Sequence, residues 1–168
     1  MFHFSEDPSI TSFVPHVPSS NPTKGPAIWA IDEAHAPLYW FPRNCPRVTC
    51  WARNSTEQET FSEKFYTPAS RVHAFESGWL DRFRNTSIYR YAFDASDFQP
   101  WPDAEGQWIS QRPVKPVDLT KIDDLSMEHA NAKIDLRIAP SLWDLHDCVI
   151  SEDWGFSIVR MKNAIPRP

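Results

Sequence analysis

Glycine is scarce, with four residues in 168, and Gly25, Gly78, Gly106 and Gly155 lie far from one another. That scattering excludes both the GxGxxG turn of a dinucleotide fold and the GxxxxGK[ST] loop that wraps phosphate. Any nucleotide must therefore be held another way. Cysteine is almost as sparse. Cys45, Cys50 and Cys148 form an odd set with no CxxC or Cys/His zinc spacing, so reduced thiols in a cytoplasmic protein are expected. Cys45 opens no CxxxxxR phosphatase loop, because Trp51 stands six residues on, and it reads as a packing residue. No run approaches the roughly 18 apolar residues of a membrane span, and MFHFSEDP has neither the basic stretch nor the apolar run of a secretory signal. Surplus positive charge is missing as well. A net charge of −5 argues against a nucleic-acid partner, since phosphate contacts dominate such affinity. HxH, HxxxH and HExxH spacings are absent, so His3, His16, His35 and Asp32 are not expected to hold a metal. The GxSxG elbow of serine hydrolases is absent too.

What the chain does have is proline and aromatic rings: 16 Pro, 11 Phe and 8 Trp. Proline is about twice its usual share of roughly 5%. One domain spanning 1–168 is expected, long enough to bury about 70% of its unfolded surface. FHFS (2–5) reads as a strand with Phe2 and Phe4 toward the core and His3 and Ser5 on the opposite face, because strand side chains alternate. Residues 14–26, with four prolines, read as a surface loop. IWAI (28–31) is a buried strand, and Asp32 caps a short helix, EAHAPLYWF, limited by Pro37. RVTCWA (47–52) alternates as a half-buried strand, RVHAFE (71–76) is another strand candidate, IYRYAFD (88–94) alternates again, and SGWLDRFRN between the last two starts a helix at Ser77. The polar stretch 53–65 reads as the most mobile loop. QWISQR and VKPVDL as strands, a helix over 121–131, a strand in KIDLRI, a helix through LWDLHDCVI and a final strand in FSIVRM complete the pattern. Many short elements punctuated by turns predict α+β, with a mainly antiparallel, split or sandwiched β-sheet and short flanking helices.

Chemistry-bearing residues crowd into WAIDEAHAPLYWFPRNCPR (29–47). His35 and Tyr39, four apart, share a face if Pro37 leaves the helix intact. A capped helix with Tyr39 and Trp40 turned into a core explains the same residues. Arg43 and Arg47 flank a proline-rigid turn and suit bidentate contact with phosphate or carboxylate; a surface salt bridge is the alternative. His73 reads as a strand histidine, and His129 and His146 read as residues of solvated helices.

FHFSEDPSI, WAIDEAHAPLYWFPRNCPRVT, RVHAFESGWLDRFR, LRIAPSLWDLHD and FSIVRMKNA together resemble a family of small bacterial proteins of unknown function, over essentially the full length. More remotely, FHFS, AIWA with EAHAPLYWF, and GQWISQRPVKPVDL resemble, in order and spacing, the rifampin ADP-ribosyltransferases and their toxin relatives. That resemblance implies an ADP-ribosyltransferase-like fold with NAD as substrate and a dinucleotide small molecule as partner. It places His3 on a ribose hydroxyl, with Ser5 beside it, and Trp29 or Tyr39 stacked on the nicotinamide. Arg43 and Arg47 complete the NAD-contacting set. Its late acid is missing: Gln107 stands there, with Glu76 or Glu105 as substitutes. The catalytic set it implies is His3, Tyr39, Gln107 and Glu76. A non-enzymatic binding or interaction protein is the alternative, and convergence of His3, an aromatic from 29–40, and Gln107 or Glu76 on one cleft would separate the two.

Overall fold

The computed structural model describes residues 1–17 and 25–167. In chain order the elements are β1 (Phe2–Ser5), β2 (Ile28–Ile31), β3 (Arg47–Trp51), α1 (Ser55–Phe65), β4 (Arg71–Glu76), α2 (Leu80–Asn85), β5 (Ile88–Ala92), β6 (Gln99–Pro100) and β7 (Gln107–Ser110). They continue with β8 (Asp118–Ile122), α3 (Leu125–Asn131), β9 (Asp135–Ala139), α4 (Trp143–Ile150) and β10 (Gly155–Val159). The architecture is α+β with mostly antiparallel sheets. Chain contacts divide it into two compact units, Met1–Trp40 with Ser87–Asp123, and Phe41–Thr86 with Asp124–Pro168. Among the described residues no helix is long and apolar enough to cross a membrane.

The first unit is a six-stranded sheet in the order β6-β7-β2-β1-β5-β8, and every pairing in it is antiparallel. Its core gathers Phe13, Ile28, Ala30, Tyr91 and Phe93. Tyr91 is fully buried, and its hydroxyl is used twice, donating to the Asp7 carbonyl at 2.6 Å and accepting from the Ile10 N–H at 3.2 Å. All four residues of β1 are half-buried, so Phe2 and Phe4 do not form the buried face expected of them. His3 pairs across β5 with Tyr91 and sets its ring edge-on to Phe13 at 5.0 Å. Phe2 and Phe4 are only half-buried on the other face, where Arg90 covers Phe2 and Tyr39 lies parallel to Phe4. The neighbouring strands decide which face is covered, and β1 alone does not reveal that. Of the expected 14–26 loop, residues 18–24 lie outside the described residues; Phe13 and His16 just before them bridge Val114 and Ala27.

Among the described residues, the second unit carries the four α-helices together with a sheet ordered β10-β3-β4-β9, in which β4 and β9 run parallel and the other pairs antiparallel. Val48, Cys50, Val72 and Ala74 on one face of this sheet meet Phe61, Phe65, Leu142, Val149 and Trp154. Within the stretch 53–65, Ser55–Phe65 is a helix and not a loop. Asn54 caps α1 by accepting the Glu57 N–H at 2.9 Å, and the Glu57 carboxylate reaches back to the Arg53 N–H at 2.8 Å, satisfying two end donors reciprocally in the manner of a capping box. Phe61 and Phe65, one turn apart, are both buried and each ring lies 5.3 Å from Trp154. Two aromatics of this size contribute several kcal/mol of burial, enough to fix a helix whose remaining face is polar. The helix expected at EAHAPLYWF is a short 3-10 turn, Ala36–Tyr39, with Pro37 at its start, where proline's fixed φ is tolerated. The strand expected in VKPVDL begins later, at Asp118, because Pro113 and Pro116 offer no N–H to a ladder.

Candidate functional site

β1 and β2 pair at a single position, Phe2 with Ile31, whereas β1 and β5 pair along four. Past Phe2 the two strands part, and the sheet is split there. The Trp29 carbonyl accepts a hydrogen bond from His3 Nδ1–H at 3.0 Å. A carbonyl can only accept, so this contact fixes which ring nitrogen carries the proton. The gap forms a cleft of about 70 Å³ walled by Phe2, His3, Phe4, Trp29, Tyr39 and Gln107. Gln107 comes from β7, paired with Ile31, and its Nε2 donates to the Tyr39 hydroxyl at 3.0 Å. Tyr39 also lies parallel to Phe4, with 6.1 Å between ring centroids and 6° between planes. The cleft thus joins four aromatic faces to one imidazole and one amide. Its volume equals roughly two waters and falls below the roughly 300 Å³ at which whole-ligand pockets begin.

Of the residues singled out in the sequence, His3, Trp29, Tyr39 and Gln107 come together here. Ser5 closes β1, where its hydroxyl accepts the Asp7 N–H at 3.1 Å. Glu76, Arg43 and Arg47 belong to the second unit and do not line the cleft. Glu76 is 3% exposed, and its carboxylate accepts the Ile165 N–H. Arg47 is buried, donates to the Cys45 carbonyl at 3.3 Å and packs over Phe41; Arg43 is exposed. Burial pushes the Cys45 and Cys50 thiols up to about 12, so both stay protonated and fill space. Among the described residues no group of three or more His, Cys, Asp or Glu side chains is arranged to hold a metal ion.

Just beyond the Ile31–Gln107 pair, the Asp32 N–H donates to the Gly106 carbonyl at 3.0 Å. Asp32 Oδ1 then accepts from both the His35 backbone N–H at 2.9 Å and the His35 ring Nδ1–H at 2.8 Å. The ring is buried, with Glu105 Oε1 4.0 Å from its Nε2.

Sequence reading placed His129 in a solvated helix; it is fully buried. The signal was there, since Leu125 and His129 are four apart and share one face of α3. His129 Nδ1–H donates to the Leu125 carbonyl at 2.7 Å, which leaves Nε2 as acceptor for His73 Nδ1–H at 3.0 Å. His73 Nε2 ends this chain, buried and without a hydrogen-bond partner. Phe41 and Phe83 pack around the pair. Burial is the largest cause holding His73 well below the usual histidine range, with His129, Arg71 and Arg47 adding to it. Burial likewise lowers His129 to about 4, against a smaller opposing effect of the Leu125 bond. Both rings are neutral at pH 7.

No curated protein and no solved structure matches the chain. The model of one family matches residues 2–164, nearly the whole chain, and the protein belongs to that family, DUF6886, a family of unknown function.

Proposed function

We propose that the split between β1 and β2 binds the nicotinamide end of NAD, and that the protein is an ADP-ribosyltransferase-like NAD-binding protein. The observation that carries this reading is the convergence of His3, Trp29, Tyr39 and Gln107 on one cleft, although they lie in three separate stretches of sequence. Aromatic walls suit a flat heteroaromatic ring, while His3 and Gln107 supply polar groups of the kind that orient a ligand in an otherwise apolar site. Breaking the bond between nicotinamide and ribose develops positive charge at the sugar. An amide oxygen aimed at it stabilises the transition state more than the ground state, though less than a carboxylate would. Gln107 therefore supports slow transfer to an acceptor.

The same residue favours the second reading, a binding protein without turnover. Gln107 cannot take a proton, and its Nε2 is engaged with Tyr39. The experiment is a titration with NAD followed by tryptophan fluorescence. Quenching that saturates, and that weakens in Tyr39→Ala, supports NAD binding; an unchanged signal up to millimolar NAD refutes it. Nicotinamide release then separates enzyme from binder.

A further inference from the structure

Partners across a β-ladder put their side chains on the same face of the sheet, as do residues two apart on one strand. Gln107 pairs with Ile31, Ile31 with Phe2, and Phe4 with Arg90 on β5, so Arg90 stands on the face that carries Gln107, Phe2 and Phe4. Tyr39 lies parallel to Phe4 there. The Arg90 guanidinium carbon is 5.2 Å from the centroid of the Phe2 ring, and Phe2 is a wall of the cleft. Two other cations of this unit, Arg112 and Lys121, have a carboxylate beside them, Asp97 at 3.9 Å and Asp123 at 2.7 Å. Among the described residues Arg90 pairs with none. Its Nη2–H donates to the Thr120 hydroxyl at 3.3 Å, and that hydroxyl donates in turn to Asp118 Oδ2 at 3.1 Å. Its Nε–H is buried and has no hydrogen-bond partner. A half-buried guanidinium normally finds a counter-ion, and here its donors await an anion that the chain does not supply.

We propose that Arg90 binds the phosphate of a nicotinamide nucleotide whose ring occupies the cleft. This inference rests on the NAD reading above. The strand order β7-β2-β1-β5 places Gln107 at one end of the shared face, the two phenylalanines between, and Arg90 at the other. In a nicotinamide nucleotide the phosphate follows the ribose, which follows the ring, so a ring held at Tyr39 and Gln107 leaves the phosphate to pass over Phe2 toward Arg90. Two phosphate oxygens accept from Nε–H and an Nη–H together, the bidentate fit that a guanidinium offers and an ammonium does not. The Phe2 ring, which rests against the guanidinium, turns aside to admit them. Selectivity follows: nicotinamide and its riboside use the cleft alone, whereas the phosphate-bearing forms use both ends of the face.

The test compares nicotinamide riboside, nicotinamide mononucleotide and NAD by tryptophan fluorescence, with Trp29 in the cleft wall as reporter. The wild type is expected to bind the mononucleotide and NAD about 10-fold or more tightly than the riboside, the scale of one hydrogen bond to a charged group, and the gap narrows as salt is added. Arg90→Gln removes the gap without weakening riboside binding, and Arg90→Lys restores part of it. In the wild-type protein the Arg90 Nε–H resonance shifts with the mononucleotide and not with the riboside, a readout that needs no variant. Equal wild-type affinity for riboside and mononucleotide overturns the inference and leaves nicotinamide binding in the cleft standing. A gap that persists in Arg90→Gln overturns it too, because the phosphate is then held elsewhere. An equal loss of all three ligands in that variant does the same, by making Arg90 a structural residue. Failure of the wild type to bind any of the three removes both readings together.

Discussion

Lowering the pH from 7 to 5 should destabilise the protein through the buried His73–His129 pair. An unfolded histidine titrates near 6.5, whereas His129 in the fold is lowered to about 4. Between these values the unfolded chain binds the proton and the native one does not, so stability is full above about 6.5 and declines as the pH falls toward 4. Integrated from pH 7 to pH 5, the difference for this one ring is about 2 kcal/mol. His73, held well below its usual range, acts in the same direction. The guanidinium groups of Arg71 and Arg47 act on His73 in the same direction as its burial. Against a total stability of about 5–15 kcal/mol, the loss is large. Urea unfolding at pH 7, 6 and 5 measures it, and His129→Gln, with an amide in place of the ring, should lose much of the pH dependence whatever its own stability at pH 7. Equal wild-type stability at pH 7 and pH 5 would refute the reasoning, because it would mean that the pair takes up protons as readily in the fold as outside it.

Tyr66 ends α1 in the left-handed region at φ 52° with its side chain 94% exposed. Tyr66→Gly should therefore raise stability by about 0.5–1 kcal/mol in chemical unfolding. Gly106→Ala meets both a positive φ and the His35 ring; a lowered Tm and altered His35 ring resonances are the expected result. Phe61→Ala removes a fully buried ring packed on Phe65 and Trp154 and should cost about 3–5 kcal/mol. Phe4→Ala, half-buried against Tyr39, should cost clearly less, and melts of the two variants side by side give the order.

Strand positions were legible: β3, β4, β5 and β7 fall within stretches read as strands, although β3 and β4 are buried on both faces and not half-buried. Helix α1 was not, because its apolar residues number two and the rest of its face is solvated; the information that remained, Asn54 followed by Glu57 three residues on, is a cap signal easily taken for loop polarity. His129 was misplaced because its neighbours Glu128 and Asn131 look solvated, while only its spacing from Leu125 tells the face. Within the site, Tyr39 and Gln107 are 68 residues apart, and no local rule connects them. Their meeting depends on β2 pairing with β7, which neither composition nor local pattern reveals. Glu76 fitted a catalytic role by residue type alone, and its chemistry is taken up by the Ile165 N–H.

The central claim is that the β1/β2 split is where NAD binds, and amide chemical-shift mapping of isotope-labelled protein with millimolar NAD tests it most directly. The account predicts saturable shifts concentrated on Phe2–Phe4, Trp29–Ile31, Tyr39 and Gln107, with little change in α1 or α4. An unchanged spectrum, or shifts confined to the second unit, would contradict it.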